Sequence, residues 1–304
     1  PWIYIDEINE YDGDYENGDI VEVYNHKGYF IGKGYINDRS KITIRIMTRD
    51  KDEVINKEFF KKRFDSAWEY RKTVIDTSSC RFIFGEADLL PGLTVDKFED
   101  YYVIQISTLG MDKYRDIIVD ILVNNFGAKG VYERSDLATR EIEGLEQTKG
   151  FLTEPFDTNV EIIENGVKYI VDLENGQKTG FFVDQRENRS LLEKYSKDRS
   201  VLNMFCYTGG FSFYAMRGGA KLVHSVDSSA KAIDLTCENV ELNFPGDNRH
   251  QAFAEDAFKY LDTMGDQYDL IILDPPAFAK HKKVLNNALQ GYRKLNAKAF
   301  EKIK

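Results

Sequence analysis

The sequence predicts an α/β protein with a parallel sheet in its C-terminal part, preceded by a small β-rich domain and an α+β middle domain. Three observations predict it. Residues 200–205, 222–227 and 269–274 are short apolar runs separated by helical segments, the pattern of strands that alternate with crossover helices. Residues 1 to about 70 instead alternate apolar and polar side chains between glycine turns, as half-buried antiparallel strands do. A chain of 304 residues, 42% of them hydrophobic, also exceeds the roughly 250 residues at which single cores stop growing. The expected division is 1–72, 73–175 and 176–304.

In the first part, Ile20-Val21-Glu22-Val23-Tyr24 and Ile42-Thr43-Ile44-Arg45-Ile46 are the clearest strands, with turns at Asn17-Gly18-Asp19 and Lys27-Gly28. It closes on Lys57, Lys61, Lys62, Arg63, Arg71 and Lys72 interleaved with Phe59, Phe60, Phe64 and Trp68. That mixture fits either a basic nucleic-acid surface or an amphipathic helix with a solvated charged face. In the middle part, 101–107 and 130–133 read as strands, 112–126 as a helix, and Glu133, Arg134 and Asp136 as an ion-pair network.

No apolar run approaches the roughly 20 residues that span a bilayer, and no charged-then-apolar leader opens the sequence, so a cytoplasmic protein without membrane contact is expected. Cys80, Cys206 and Cys237 are too few and too scattered for a disulfide framework. No Cys-x-x-Cys pair or histidine cluster offers a metal site, because His26, His224, His250 and His281 stand apart. A net charge of −10 is not the footprint of a protein that tracks phosphates, so nucleic-acid binding must rest on local charge. Lys280, His281, Lys282 and Lys283 form one such run, placed either to meet phosphate or to stay solvated.

Ligands in open α/β sheets lie beyond the carboxyl ends of the strands, which makes four strand ends the candidate site. The first carries Asn203-Met204-Phe205-Cys206-Tyr207-Thr208-Gly209-Gly210, where paired glycines let the backbone pass close to a ligand before a helix begins. This loop lacks the G-x-G-x-x-G spacing, which disfavours a nicotinamide-dependent oxidoreductase. Asp227, followed by Ser228, ends the second strand, where a carboxylate either accepts from two ribose hydroxyls or is an ordinary surface group. After the extended stretch 248–254, Glu255-Asp256-Ala257 places Asp256 to accept from an adenine amino group or to cap a helix. The fourth strand delivers Asp274-Pro275-Pro276-Ala277-Phe278, in which consecutive prolines fix an extended loop so that a carboxylate and a ring can face one planar substrate.

With these loops, the run Asn175-Gly176-Gln177-Lys178-Thr179-Gly180-Phe181-Phe182-Val183-Asp184-Gln185-Arg186-Glu187-Asn188-Arg189 closely resembles bacterial 23S ribosomal RNA large-subunit cytosine-5 methyltransferases of the PUA-domain type. Phe84-Gly85-Glu86-Ala87-Asp88, Leu90-Pro91-Gly92-Leu93-Thr94-Val95-Asp96, Glu133-Arg134-Ser135-Asp136 and Glu143-Gly144-Leu145 resemble that family's central domain, and Pro1-Trp2-Ile3-Tyr4 its PUA segment. The resemblance implies a class I (Rossmann-like) methyltransferase domain that binds S-adenosyl-L-methionine, with the PUA-like and central domains helping to hold ribosomal RNA. It leaves a homodimer open. Carried over by position, Asp227 would hold the ribose hydroxyls with Ser228 beside it, and Asp256 the adenine amino group with Ala257 beside it. Asn203, Phe205, Tyr207 and Gly209 would flank the methionine moiety, under a lid of Phe182, Asp184 and Arg186. Asp274, which would also border the cofactor, and Phe278 would face the incoming base.

The implied chemistry adds a cysteine thiolate to carbon 6 of cytosine so that carbon 5 can attack the sulfonium methyl group, with Asp274 promoting the addition and the base unstacked. The Ser-Cys-Ser-like motif that should carry the thiolate is not in the sequence, and by the resemblance Cys206 belongs to the cofactor loop. The nucleophile is therefore expected beyond Lys304, in a chain truncated after its fourth strand and lacking its initiator Met. An exposed or partner-covered flank on that strand should result. Two other classes stay open. An amino-methyltransferase could work through the 274–278 loop without cysteine, and a non-catalytic RNA-binding assembly factor could keep the N-terminal half, although the Asp227, Asp256 and Asp274 set speaks against it.

Overall fold

The computed structural model describes residues 1–279 and 284–304, so the run Lys280, His281, Lys282 and Lys283 lies outside the described residues. The chain divides into two compact units, Pro1–Ile162 with Val171–Val183, and Ile163–Ile170 with Asp184–Lys304.

The first unit opens with β1 (Trp2–Tyr4), β2 (Ile20–Tyr24), β3 (Phe30–Ile36) and β4 (Ile42–Thr48), an antiparallel sheet in the order β1-β4-β3-β2. The alternation puts Ile36, Ile44 and Ile46 on one buried face. Helix α1 (Lys57–Val74) begins where the Asn56 side chain accepts from the Phe59 N–H, and it buries Phe59, Phe60, Phe64 and Ala67. Its cations are neutralised locally: Lys61 by Asp65 at 2.7 Å, Arg63 by Glu53 at 3.2 Å, Arg71 by Asp88 at 2.6 Å, Lys72 by Glu69 at 2.6 Å, and Lys57 by Asp120. The stretch is thus an amphipathic helix whose charged face is paired locally.

Strands β5 (Ser79–Phe84), β6 (Leu93–Phe98) and β7 (Tyr101–Ile106) lead to α2 (Leu109–Asp112), α3 (Arg115–Phe126), β8 (Gly130–Ser135), α4 (Ala138–Glu143) and β9 (Thr148–Phe151). The five strands form one sheet in sequence order, parallel only between β7 and β8, which α3 connects. The expected helix over 112–126 is broken, with a separate turn at α2 before α3 begins. Tyr35 and Met47 share a continuous core with Phe60, Phe64, Phe82, Ile104 and Leu122. Arg134 donates to the Leu173 and Gly176 carbonyls at 3.0 Å and pairs with Asp136 at 3.2 Å, whereas Glu133 pairs with Arg115 at 3.4 Å, so the expected network holds only for Arg134 and Asp136.

Strands β10 (Asn159–Glu164) and β11 (Val167–Asp172) form a hairpin whose tip belongs to the second unit. That unit continues with α5 (Arg186–Tyr195), β12 (Ser200–Met204), α6 (Gly210–Arg217), β13 (Leu222–Asp227), α7 (Ala230–Asn243), β14 (His250–Ala254), α8 (Ala257–Thr263), β15 (Leu270–Leu273) and α9 (Leu285–Lys302). All three strand pairings are parallel, in the order β14-β13-β12-β15, so β15 lies at an edge. A reciprocal pair of bonds starts β12 and β15 level: Ser200 N–H donates to Asp269 Oδ2 at 2.8 Å, and Asp269 N–H to the Ser200 carbonyl at 2.9 Å.

Glu164, at the hairpin tip, is buried and accepts from Arg189 Nε at 2.7 Å, Arg189 Nη2 at 2.6 Å and the Tyr214 hydroxyl at 3.0 Å, with the Arg186 guanidinium paired electrostatically at 3.6 Å. One carboxylate thus joins the tip to α5 and α6. Removing one member of a buried charge cluster leaves the others uncompensated, so Glu164→Ala should lose about 3–5 kcal/mol of stability in urea unfolding. Unchanged stability would deny this carboxylate its structural role.

A polar chain runs through the parallel sheet from Asn203 Nδ2 to Ser212 Oγ at 3.0 Å, from Ser212 to Ser225 at 2.6 Å, and from Ser225 to His250 Nε2 at 2.8 Å. Burial, with the neighbouring His224, pushes the His250 pKa down to about 4 from 6.5, partly offset by Asp247. The unfolded chain therefore binds a proton that the native state refuses, and the stability His250 contributes is lost as pH falls from 6.5 towards 4. The urea midpoint of His250→Gln should fall less than that of the wild type between these two pH values.

Candidate active site

The parallel register makes the candidate site. Met204 lies opposite Val226 on one side and Leu273 on the other, and Asp227 lies opposite Ala254. One residue beyond Met204 the register sets Ala254, Asp227, Phe205 and Asp274 in a row at the carboxyl edge of the sheet, with Glu255 and Asp256 following Ala254. With neighbouring strands about 4.8 Å apart, the row is about 14 Å wide, which suits an extended nucleoside with its substituent.

Between β12 and α6 the backbone turns sharply, with φ at 58° for Phe205, 48° for Tyr207 and 84° for Gly209. Non-glycine residues in this region cost on the order of 1–3 kcal/mol each, so surrounding bonds must hold them. Asp227 Oδ2 accepts from the Tyr207 N–H at 3.0 Å, and Thr236 Oγ1 donates to the Tyr207 carbonyl at 3.0 Å. Gly209 is needed sterically as well, because a Cβ there would stand 2.6 Å from Thr236 Cγ2 and 2.7 Å from Phe213 Cζ. Asp227 Oδ1 accepts from the Ser229 N–H at 2.9 Å. Each carboxylate oxygen carries two acceptor sites, so these bonds orient Asp227 and leave it able to accept two hydroxyls.

Asp256 caps α8, with Oδ1 accepting from Phe258 and Lys259 N–H groups at 3.0 Å. Both bonds fall on one oxygen, which leaves Oδ2 to meet an amino group. Ser228 is exposed beside Asp227, and Ala257 is buried as the first residue of α8. Asp274 is exposed, and Gln185 Nε2 reaches its Oδ2 at 3.5 Å, a long contact. The Phe278 ring stacks on Tyr292 with centroids 4.4 Å apart, and the Phe278 N–H donates to the Tyr292 hydroxyl at 3.3 Å.

The structure thus brings Phe205, Tyr207, Gly209, Asp227, Ser228, Asp256, Ala257 and Asp274 to one edge, with Phe278 following on its loop. Other expected positions are engaged elsewhere. Asn203 is fully buried and bonds Ser212, while Arg186 is buried against Glu164. Phe182 belongs to the first unit, with the Lys178 ammonium 4.3 Å from its ring centroid, and Asp184 to the second. Cys206 is buried, and burial followed by the Asp227 charge pushes its thiol pKa far up, so it stays protonated. Sequence reasoning missed the roles of Thr236 and Tyr292, which carry no motif, and of Gln185, which lies in the 175–189 run without an assigned contact; all three act through partners distant in the chain.

The model of an S-adenosylmethionine-dependent methyltransferase family matches residues 145–303. The chain belongs to this family of S-adenosylmethionine-dependent methyltransferases. A PUA-like domain model matches residues 1–49 of the same methyltransferase. A ribosomal RNA large subunit methyltransferase I from Alteromonas mediterranea is 40% identical over 310 residues, covering 100% of this chain and 78% of the relative. One of the same name from Vibrio parahaemolyticus is 42% identical, covering 100% and 79%. Among solved structures, a chain assigned to the SAM-dependent methyltransferases of Streptococcus mutans superposes with a TM-score of 0.78 at 26% identity, covering 96% of this chain and 76% of that one. Another, complexed with SAH, gives 0.79 at 27% identity, covering 95% and 76%.

This methyltransferase therefore has a class I fold behind a PUA-like domain, and its cofactor is S-adenosylmethionine. The strand-end residues fit that group: two oriented carboxylates with acceptor capacity left, and a glycine turn that no side chain could fill. Asp227→Ala should weaken S-adenosylmethionine binding about tenfold or more in calorimetry, through lost hydroxyl acceptors and a released Tyr207 turn. Asp274→Ala should bind the cofactor as the wild type does and turn over more slowly. Equal affinity in wild type and the Asp227 variant refutes the assignment.

Proposed function

We propose that this methyltransferase forms 5-methylcytosine in 23S ribosomal RNA, in the cytoplasm. The observation that carries the reading is the full-chain likeness, at about 40% identity, to ribosomal RNA large subunit methyltransferases I, across the PUA-like segment and the sheet alike. When bound, S-adenosylmethionine supplies an electrophilic methyl group on its sulfonium.

The chain's own residues would then divide the work. Asp227 holds the ribose hydroxyls and the Tyr207 turn together, so the loop that flanks the cofactor is shaped by the same carboxylate that binds it. Asp256 meets the adenine amino group through the oxygen not used in capping. Asp274, exposed beyond β15, hydrogen-bonds the ring edge of the incoming base and so promotes its activation. Phe278, steadied by Tyr292, presents an aromatic surface to a base taken out of its stack. Cys206 does not serve as nucleophile, because a buried, protonated thiol attacks poorly. The resemblance implies a cysteine thiolate for this step, and none of Cys80, Cys206 and Cys237 stands in the Ser-Cys-Ser-like motif that would carry it.

One observation favours a second reading: the Cys206 thiol, next to Phe205 of the strand-end row, is buried, so the 274–278 loop could instead receive an exocyclic amino group, which needs no thiolate. The two readings give different products. Calorimetry should first show binding of S-adenosylmethionine and none of a nicotinamide dinucleotide. Incubation of full-length protein with unmodified 23S ribosomal RNA and methyl-labelled cofactor should then give 5-methylcytidine after nuclease digestion. Label in an N-methylated nucleoside would establish the second reading, and no label in RNA would overturn both.

A further inference from the structure

The first unit contains a cleft of about 490 Å³, within the range of small-ligand sites, that the methyl-transfer reading leaves without a task. Its walls come from the very motifs that the strand-end site does not use: Phe84, Gly85 and Glu86 before the β6 turn, Thr94 on β6, and Glu143 after α4, with Trp2 from β1. Two of these are aromatic and exposed, Trp2 at 45% and Phe84 at 56%. Large exposed aromatics at the mouth of a cleft lose hydrophobic stabilisation unless something covers them.

Both rings are held in place. The Trp2 indole N–H donates to Glu86 Oε1 at 2.8 Å. The Arg81 guanidinium lies 5.3 Å from the Phe84 ring centroid and is itself anchored on buried Asp96 by bonds of 2.7 and 2.9 Å. Rigid aromatic surfaces lose little entropy when a flat partner stacks on them, and base stacking is tolerant of sequence.

Charge narrows the partner. Arg45 is matched by Glu143 at 2.9 Å, and the other Glu143 oxygen accepts from Asn37 at 2.8 Å. The cleft therefore holds no surplus cation for a phosphate. Glu86 spends one lone pair on Trp2 and keeps acceptor capacity, and a carboxylate accepts only from donors. A flat ring with adjacent N–H donors along one edge satisfies both the stacking surfaces and the carboxylate.

We infer that this cleft binds one unstacked nucleobase of a single-stranded segment of the substrate RNA, stacked by Phe84 and Trp2 and read by Glu86. Guanine suits it best, because its N1–H and N2–H groups lie side by side and match the fork of a carboxylate. The cleft is thus a recognition site separate from the strand-end row. The inference rests on the ribosomal RNA reading above.

The test uses full-length protein and fluorescently labelled single-stranded RNA hexamers with guanine, adenine or uracil at one central position. Anisotropy should give tightest binding for guanine. Phe84→Ala and Trp2→Ala should weaken binding about tenfold, Phe84→Tyr should restore it, and Glu86→Gln should abolish the preference for guanine over adenine. Calorimetric affinity for S-adenosylmethionine should be the same in all variants, which shows that they fold. Equal hexamer affinity in all variants, or no hexamer binding by the wild type, overturns the cleft as a base site. The ribosomal RNA reading is decided separately, by whether the wild type methylates 23S ribosomal RNA.

Discussion

The level register of four parallel strands is the constraint on which the active-site edge depends. Parallel pairing fixes Met204 against Val226 and Leu273, and Asp227 against Ala254. A one-residue slip in β15 would turn its side chains to opposite faces and carry Asp274 out of the row. The bonds that start the strands level are therefore as important to the site as the residues in it. The reciprocal pair between Ser200 and Asp269 does this at the opposite end of β12 and β15.

Asp227 shows how the group proposed to bind the ribose hydroxyls also holds the loop beside it. Its carboxylate fastens a turn with positive φ at Tyr207 and is itself oriented by that bond and by Ser229. A free surface aspartate would sample many rotamers, whereas this one is directed before a ligand arrives, which reduces the ordering cost of binding. Thr236 completes the arrangement from α7 by holding the Tyr207 carbonyl. The strained loop persists because three neighbours over-determine it.

The two candidate sites differ in chemistry. The sheet edge offers carboxylates to hydroxyl and amino groups, and the first unit offers aromatic faces at Trp2 and Phe84 beside a single acceptor. Neither site is basic, in keeping with a net charge of −10. The cations of α1, which the composition made candidates for phosphate, are taken up by Glu53, Asp65, Asp88 and Glu69.

By itself the sequence determined the alternation of strand and helix after Ser200, because apolar runs of strand length separated by helical segments admit few other folds. It also determined which strand ends carry acids and glycines, since those residue types follow directly after the apolar runs of β12, β13, β14 and β15. Only the tertiary structure decided how these side chains are used. Arg186 and Asn203 sit in the same motifs as the strand-end residues, yet Arg186 is drawn into the cluster around Glu164 and Asn203 into the Ser212 chain. Strands β5, β6, β9, β10 and β11 were not legible either, as short runs broken by charge show no clear period. The roles of Glu164, Thr236 and Tyr292 come from partners 14 to 50 residues away, as with the Tyr214 hydroxyl on Glu164. A buried hydrogen bond between distant residues leaves no local pattern, because its free energy depends on who is brought opposite, and only the folded chain brings them there.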